Sequence, residues 1–366
     1  MAPPRRIRPI AIFGLVAIVI LGVVVVSAAA VSDRLTRPLG PALDLPTPTV
    51  DTSMLNAGSS LAPRSEATNA SVSETSVSEP LCGGPPTMIV LGVGADNREN
   101  NYLYGLADAI RVARVDFRNP SLSVVTLPRD LWVEIPGISD HYGITHGKLN
   151  QAYLYGNPGM GYYDGPGAGP GLLARTLELN YGLRPDHYGA VNMQTFVRLV
   201  DAVGGIDLFL EQPVDGRPVD DKTEDMGYFR AGQHHMDGQT ALRFSRIRKT
   251  DSAFRRDDRQ TQVLCALKDK LLSPDVVTDI PGIIAAFQGS VQTDLSPAQL
   301  ASLVCLVPMI RPENLRFASV PEDLLTQTRN AEGSFVLEPD QEALRELVQA
   351  FLAGTWPTEP DQPSCP

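Results

Sequence analysis

Apolar residues fall along this chain in three regimes. From Ile10 to Val31 a run of 22 residues carries no charge, enough at about 1.5 Å per residue to cross the roughly 30 Å hydrocarbon core of a bilayer. Arg5, Arg6 and Arg8 precede it, which predicts a cytoplasmic amino terminus and an outside location for everything after Val31. The run is longer than the apolar core of a cleaved signal peptide, about 7–15 residues. Despite the cleavage-like Ser27-Ala28-Ala29-Ala30, an uncleaved membrane anchor over 10–31 is therefore expected behind a cytoplasmic tail of residues 1–9. The second regime, 32–80, holds 15 Ser or Thr, six Pro and no aromatic residue. It cannot bury enough apolar area to offset backbone ordering, which predicts a disordered tether.

In the third regime short apolar runs alternate with helical periodicity. Met88–Val93, Ile110–Val115 and Leu122–Leu127 are bounded by turn-prone or charged residues, as buried strands are. Leu172, Leu173, Leu177 and Leu179 mark a helix from Gly171 to Leu179, stopped at Gly182. Asn192 caps another over Met193–Val203, ending at Gly204-Gly205, and Ile206–Leu210 reads as a strand. Asp237 caps a helix reaching Arg246, and Arg256–Leu272 forms the next. This alternation predicts an α/β fold, a layered α-β-α domain around a central sheet that is mixed because some connections are short. The domain is expected over 81–275, with an α/β extension over 276–356 and a Pro-rich tail at 357–366.

Charge changes this picture locally more than globally. A net charge of −11 argues against general nucleic-acid binding. Only five of the 31 cations are lysines, a ratio that fits oxyanion recognition by guanidinium groups or codon bias equally. The segment Arg243–Arg259, however, holds seven cations and three acids. A positive island in a negative chain suits phosphate or pyrophosphate oxygens through bidentate hydrogen bonds; the plain alternative is a solvated, ion-paired helix face. Arg256 and Gln260 are four apart and share a face.

Charged groups also gather where strands end. The first strand runs into Asp96-Asn97-Arg98 and the third into Pro128-Arg129-Asp130, while Asp108 stands just before the second strand. If the first two strands are antiparallel neighbours, Asp96 and Asp108 share an edge, and two carboxylates with water and phosphate oxygens make a magnesium site. Other motifs fail. Gly92-Val93-Gly94 lacks the third glycine of a dinucleotide fingerprint, and GPGAGPG (165–171) lacks the lysine of a P-loop, so both read as loops. His234-His235 reads as a surface turn rather than a zinc site. Cys82, Cys265, Cys305 and Cys365 allow three disulfide connectivities or four free thiols; the favoured pairing is Cys265 with Cys305 and Cys82 with Cys365.

The ordered blocks LGVGADNR, ADAIRVARVD, VVTLPRDLWVEIPG, KLNQAYLYG, LVDAVGGIDL, HMDGQTALRFSRIRK and RRDDRQ resemble the LytR-CpsA-Psr family of cell-envelope glycopolymer transferases over about residues 86–272. The resemblance implies a membrane-anchored extracytoplasmic enzyme that moves a glycan from a polyprenyl pyrophosphate carrier to peptidoglycan or another wall polymer through a phosphodiester. It implies Mg2+, with Mn2+ as the alternative, on Asp96 and Asp108. It also places Asp96, Asp108 and Arg129 in catalysis, and Arg129, Arg246, Arg248, Arg256 and Gln260 around the pyrophosphate, with Arg98 expected to join them in place of a family arginine that is Leu106 here. The prenyl tail would need an apolar tunnel, to which the helices at 171–179 and 193–203 are expected to contribute. Leu106 stands where the family often has Arg, and Ala253 replaces an acid beside an added Arg255. A lipid pyrophosphate hydrolase and a non-catalytic envelope-binding or regulatory module are the rival readings.

Overall fold

The structure is a computed structural model that describes residues 40–45, 79–97, 102–138, 141, 143–221, 224–247, 253–271, 273 and 291–356. The predicted anchor, Arg98, Arg248 and Cys365 lie outside these residues. Among the described residues no helix is long and apolar enough to cross a membrane.

The chain begins with a meander of β1 (Thr87–Ala95), β2 (Ala107–Asp116) and β3 (Ser121–Leu127), followed by short β4 (Trp132–Glu134) and β5 (His146–Lys148). Helices α1 (Leu149–Gly156) and α2 (Ala168–Tyr181) lead to β6 (His187–Asn192), α3 (Met193–Ala202) and β7 (Ile206–Leu210). Then come β8 (Val214–Asp215), β9 (Tyr228–Phe229), β10 (Gly232–Met236), α4 (Gly238–Arg246) and α5 (Ala253–Leu271). The chain closes with β11 (Val291–Thr293), α6 (Pro297–Leu306), β12 (Leu315–Ser319), β13 (Leu325–Arg329), β14 (Phe335–Pro339) and α7 (Gln341–Ala353).

The central sheet has six strands in the order β11-β6-β1-β2-β3-β12. It is mixed, as expected: β1 runs antiparallel to β2 and parallel to β6, and β12 lies parallel to β3. Residues after 290 thus supply both edge strands of one sheet. Asn192 and Asp237 cap α3 and α4, accepting from the amides of Thr195 and Thr240. One face of the sheet, through Leu91, Val93, Ile110 and Val112, closes with α1, α2 and α7 into the main core. The other, through Met88, Val90, Ala113 and Val115, packs under α6. A third cluster joins α3, β7, β10, α4 and α5 around Phe244, Ile206 and Leu267.

Several local expectations are corrected. Gly92–Gly94 lies inside β1, because pairing with β2 and β6 on both sides continues through it. The 165–171 loop gives way to α2 at Ala168: Pro170 falls in the first turn, where a helix needs no amide donor. His234-His235 belongs to strand β10, with His235 Nδ1 2.8 Å from Asp207 Oδ1. Asp108 lies within β2 rather than before it. The expected disulfide pairing is overturned, since Cys82 bonds Cys305 with Cα atoms 5.8 Å apart. The end of α6 packs against the 81–83 turn, which brings these two sulfurs together.

The tether also departs from expectation at 40–45. Leu43 is 2% exposed within the main core. Its amide donates to Asp294 Oδ2 at 3.5 Å, and Arg184 donates to the Leu45 carbonyl at 2.8 Å. Leu43 and Leu45, set between Pro41 and Pro46, dock a segment whose average composition predicts disorder.

Candidate functional site

The acids expected to hold a metal stand at the same end of the β1–β2 pair. Register along β1 and β2 runs one-to-one until Gly94 pairs Ala109 and Ala95 pairs Ala107, which leaves Asp108 as the extra residue of a β-bulge. Bulges re-aim side chains at sheet rims. The Asp96 amide donates to the Leu106 carbonyl at 2.8 Å, so Asp96 stands across the strand pair from the residue two before Asp108. Leu106, in the position where an arginine was anticipated, contributes this backbone contact.

Arg129 reaches this bulge from the turn after β3. Its guanidinium donates through one terminal nitrogen to Asp108 Oδ1, and its Nε lies 3.3 Å from Asp130 Oδ2. Lys148 Nζ donates to the other oxygen, Asp130 Oδ1, at 2.8 Å. The backbone of the turn is held on both sides: Asn150 and Leu149 amides donate to the Arg129 and Leu131 carbonyls, and the Leu337 amide donates to Asp130. Asp130 is 7% exposed. Burial disfavours its charge, but Arg129, the Lys148 hydrogen bond and nearby Arg256 outweigh it and hold the carboxyl below the usual carboxylate range. Burial likewise works against the Arg129 cation, and Asp108 and Asp130 overcome it, raising its pKa.

The second group of cations sits on the α4–α5 pair. Arg246 occupies the last turn of α4, where a cation complements the helix dipole, and pairs with Glu224 at 3.3 Å. Arg256 and Arg259 are each 5% exposed on α5, Gln260 is half-buried and Arg255 is exposed. Arg259 is structural: its guanidinium donates to the Ile247 carbonyl at 2.5 Å, closing the end of α4. Arg111 on β2 donates to Thr261 of α5 at 3.1 Å, tying this helix to the sheet.

Of the predicted residues, the structure brings Asp96, Asp108 and Arg129 to one edge and sets Arg256 within Coulombic range of Asp130. Asp130, Lys148, Arg111 and Arg259 were not singled out from sequence. Pro128-Arg129-Asp130 contained a signal for the first, and a lysine directly before a helix in a lysine-poor chain was the signal for the second. On the helices expected to line a prenyl tunnel, Leu172, Leu173 and Leu177 of α2 are 0% exposed in the main core and Val197, Leu199 and Val200 of α3 are buried, while Leu179 at the end of α2 is 46% exposed.

Comparison with known proteins assigns a lineage to this geometry. The LytR_cpsA_psr family model matches residues 52–351. The chain is 31% identical over 230 residues to the polyisoprenyl-teichoic acid--peptidoglycan teichoic acid transferase TagU of Bacillus cereus (strain AH820), covering 62% of this chain and 66% of that protein. It is 25% identical over 272 residues to the regulatory protein MsrR of Staphylococcus aureus (strain COL), covering 72% and 73%. Among solved structures, B. subtilis TagV superposes with a TM-score of 0.55 at 24% identity, over 73% of this chain and 97% of that one. TagT bound to LIIa-WTA superposes at 0.54 and 22%, over 73% and 90%. The structural likenesses are evidence of a shared fold.

Proposed function

The chain belongs to the LytR_cpsA_psr family, and from that premise we propose that it is a phosphotransferase moving a glycopolymer from a polyprenyl pyrophosphate carrier to a hydroxyl of peptidoglycan or a similar wall polymer. The observation that carries this reading is Asp108 aimed by a bulge at Arg129, with Arg256 close to the same turn. Such a set of acids and guanidinium groups fits a pyrophosphate and a divalent cation together. TagU's name describes a transfer of this kind.

In the reaction, the acceptor hydroxyl oxygen bonds to the phosphorus that carries the sugar, and the bond from that phosphorus to the bridging oxygen breaks. The lipid leaves as its monophosphate, and the hydroxyl proton passes to Asp96 or Asp108. Arg129 and Arg256, with Arg246, Arg248, Arg98 and Gln260, orient the two phosphates and offset charge gathering on the bridging oxygen. Among the described residues no three His, Cys, Asp or Glu side chains could together hold a metal. Mg2+ suits the two-carboxylate set, since it keeps waters and takes phosphate oxygens as ligands; it would add Lewis acidity at the phosphates. The prenyl tail is assigned to the sheet face beneath α5. There Gly92, Gly94, Ala109 and Gly189 replace the large side chains that fill the same face lower down. A membrane anchor at 10–31 would keep the domain beside its lipid substrate.

The test supplies full-length protein with a polyprenyl pyrophosphate-linked glycan, Mg2+ and peptidoglycan. Sugar bound covalently to the wall polymer, lost on chelation and in Asp108→Asn, is the expected result. Free phosphorylated sugar would indicate a hydrolase, and no turnover of either kind would leave MsrR's regulatory description as the better guide.

A further inference from the structure

The Asp130 carboxylate does not touch the Asp96–Asp108 edge, yet it contacts two cations from different parts of the fold and feels the charge of a third. Arg129 is its chain neighbour after β3, Lys148 belongs to β5, and Arg256 belongs to α5. Each carboxylate oxygen has its own partner: Oδ2 faces Arg129 Nε and Oδ1 accepts from Lys148. Engaging Arg129 through Nε leaves the far end of the fork to Asp108, so the guanidinium is held at both ends between two carboxylates.

We propose that Asp130 and Lys148 form a positioning pair for the transfer reaction, in which Lys148 orients the Asp130 carboxylate and Asp130 in turn fixes Arg129. This inference rests on the phosphotransferase reading. Two cations held close together repel one another, and the buried acid between Arg129 and Lys148 offsets that repulsion and keeps the Arg129 guanidinium in place for a pyrophosphate. Lys148 is the member that fixes the carboxylate plane of Asp130 relative to Arg129. It supplies a single strong donor to Oδ1, leaving Oδ2 and the remaining lone pairs for the guanidinium groups. The backbone of the turn is held independently through Leu131, Asn150 and Leu337, so its fold does not depend on these side chains.

The positioning role separates from a merely structural one by how kinetics divide. Asp130→Asn keeps shape and removes the charge; it should lower kcat by roughly 10- to 100-fold, the usual cost of losing a group that orients a reacting one. KM for the lipid donor should stay the same or fall, because net positive charge at the site rises by one. Lys148→Met should also lower kcat, and Lys148→Arg should recover most of the rate. Binding of geranyl pyrophosphate to the full chain is measured alongside. Wild-type binding with unaltered kcat in both Asp130→Asn and Lys148→Met overturns the positioning pair while leaving the phosphotransferase reading intact. A fall in kcat matched by an equal loss of folded protein, with no recovery in Lys148→Arg, also overturns it. Absence of geranyl pyrophosphate binding and of turnover in the wild type defeats the phosphotransferase reading itself.

Discussion

The two halves of the site are built differently. At the sheet edge Asp108 and Arg129 are placed by a strand bulge and by a turn whose backbone is bonded on three sides. On α4 and α5, Arg246 and Arg256 ride on a helical unit with its own apolar cluster, joined to the sheet through Arg111–Thr261 and the Asp130–Arg256 attraction. The first half is rigid by construction, and the second is set by the packing of one cluster against another. Pre-organised donors contribute most where charge develops during reaction, whereas groups on a separately packed unit contribute chiefly to binding. The sheet edge is therefore the half that should govern rate, and the helical half the one that should govern affinity.

The largest expected effect tests that division directly. Arg129→Ala should reduce kcat by about 10²- to 10³-fold, the range for loss of one pre-organised donor to a developing anion. Arg246→Ala, whose cation is already shared with a half-exposed Glu224, should raise donor KM by roughly tenfold with little change in kcat, like other contacts equal in ground and transition states. Steady-state kinetics on the same donor measure both. Equal kcat losses would erase the distinction.

A smaller effect should be confined to the helical half. Arg259 is 5% exposed and spans from α5 to the Ile247 carbonyl, so Arg259→Leu removes the bond and leaves that carbonyl without its donor. A cost of about 1–3 kcal/mol is expected for a buried acceptor left unsatisfied. Amide hydrogen exchange should rise in α4 and α5 while β1, β2 and β3 keep their protection. Uniform loss of protection would mean that the two halves unfold as one unit.

Much of this division could be read from sequence because local chemistry dictates it. The alternating apolar runs gave β1 to β3, and Asn192 and Asp237 announced the caps of α3 and α4. That Asp96, Asp108 and Arg129 gather at one rim was legible because antiparallel pairing of the first two strands brings their charged ends together; the roles expected of them came from the family resemblance. What the sequence concealed depends on long-range pairing. Gly92–Gly94 looks like a loop until β2 and β6 flank it. Cys82 finds Cys305 across 223 positions, and no spacing rule reaches that far. The Leu43 segment was hidden in composition: averaging over 32–80 dilutes the two leucines that join the main core. Lys148 and Asp130 stand 18 residues apart and meet only because β5 returns along β4.

The smallest effect concerns pH and the member common to both halves. The Asp130 carboxyl is held below its ordinary value: burial opposes its ionisation, and Arg129, Lys148 and Arg256 together prevail. A group whose folded pKa is depressed contributes stability above its unfolded value, near 4 for Asp, and loses it as pH falls through the folded value. Between pH 5 and 8 the contribution should accordingly be constant, and the urea midpoints of wild type and Asp130→Asn should differ by a fixed amount. Below about pH 4 that gap should narrow, because the wild type takes up the proton that the asparagine variant has no place for. Measuring the gap at pH 7 and at pH 3 decides the matter. A gap that is unchanged, or that widens in acid, would mean that the three cations do not stabilise the charge of Asp130, and the two halves of the site would then lose their common anchor.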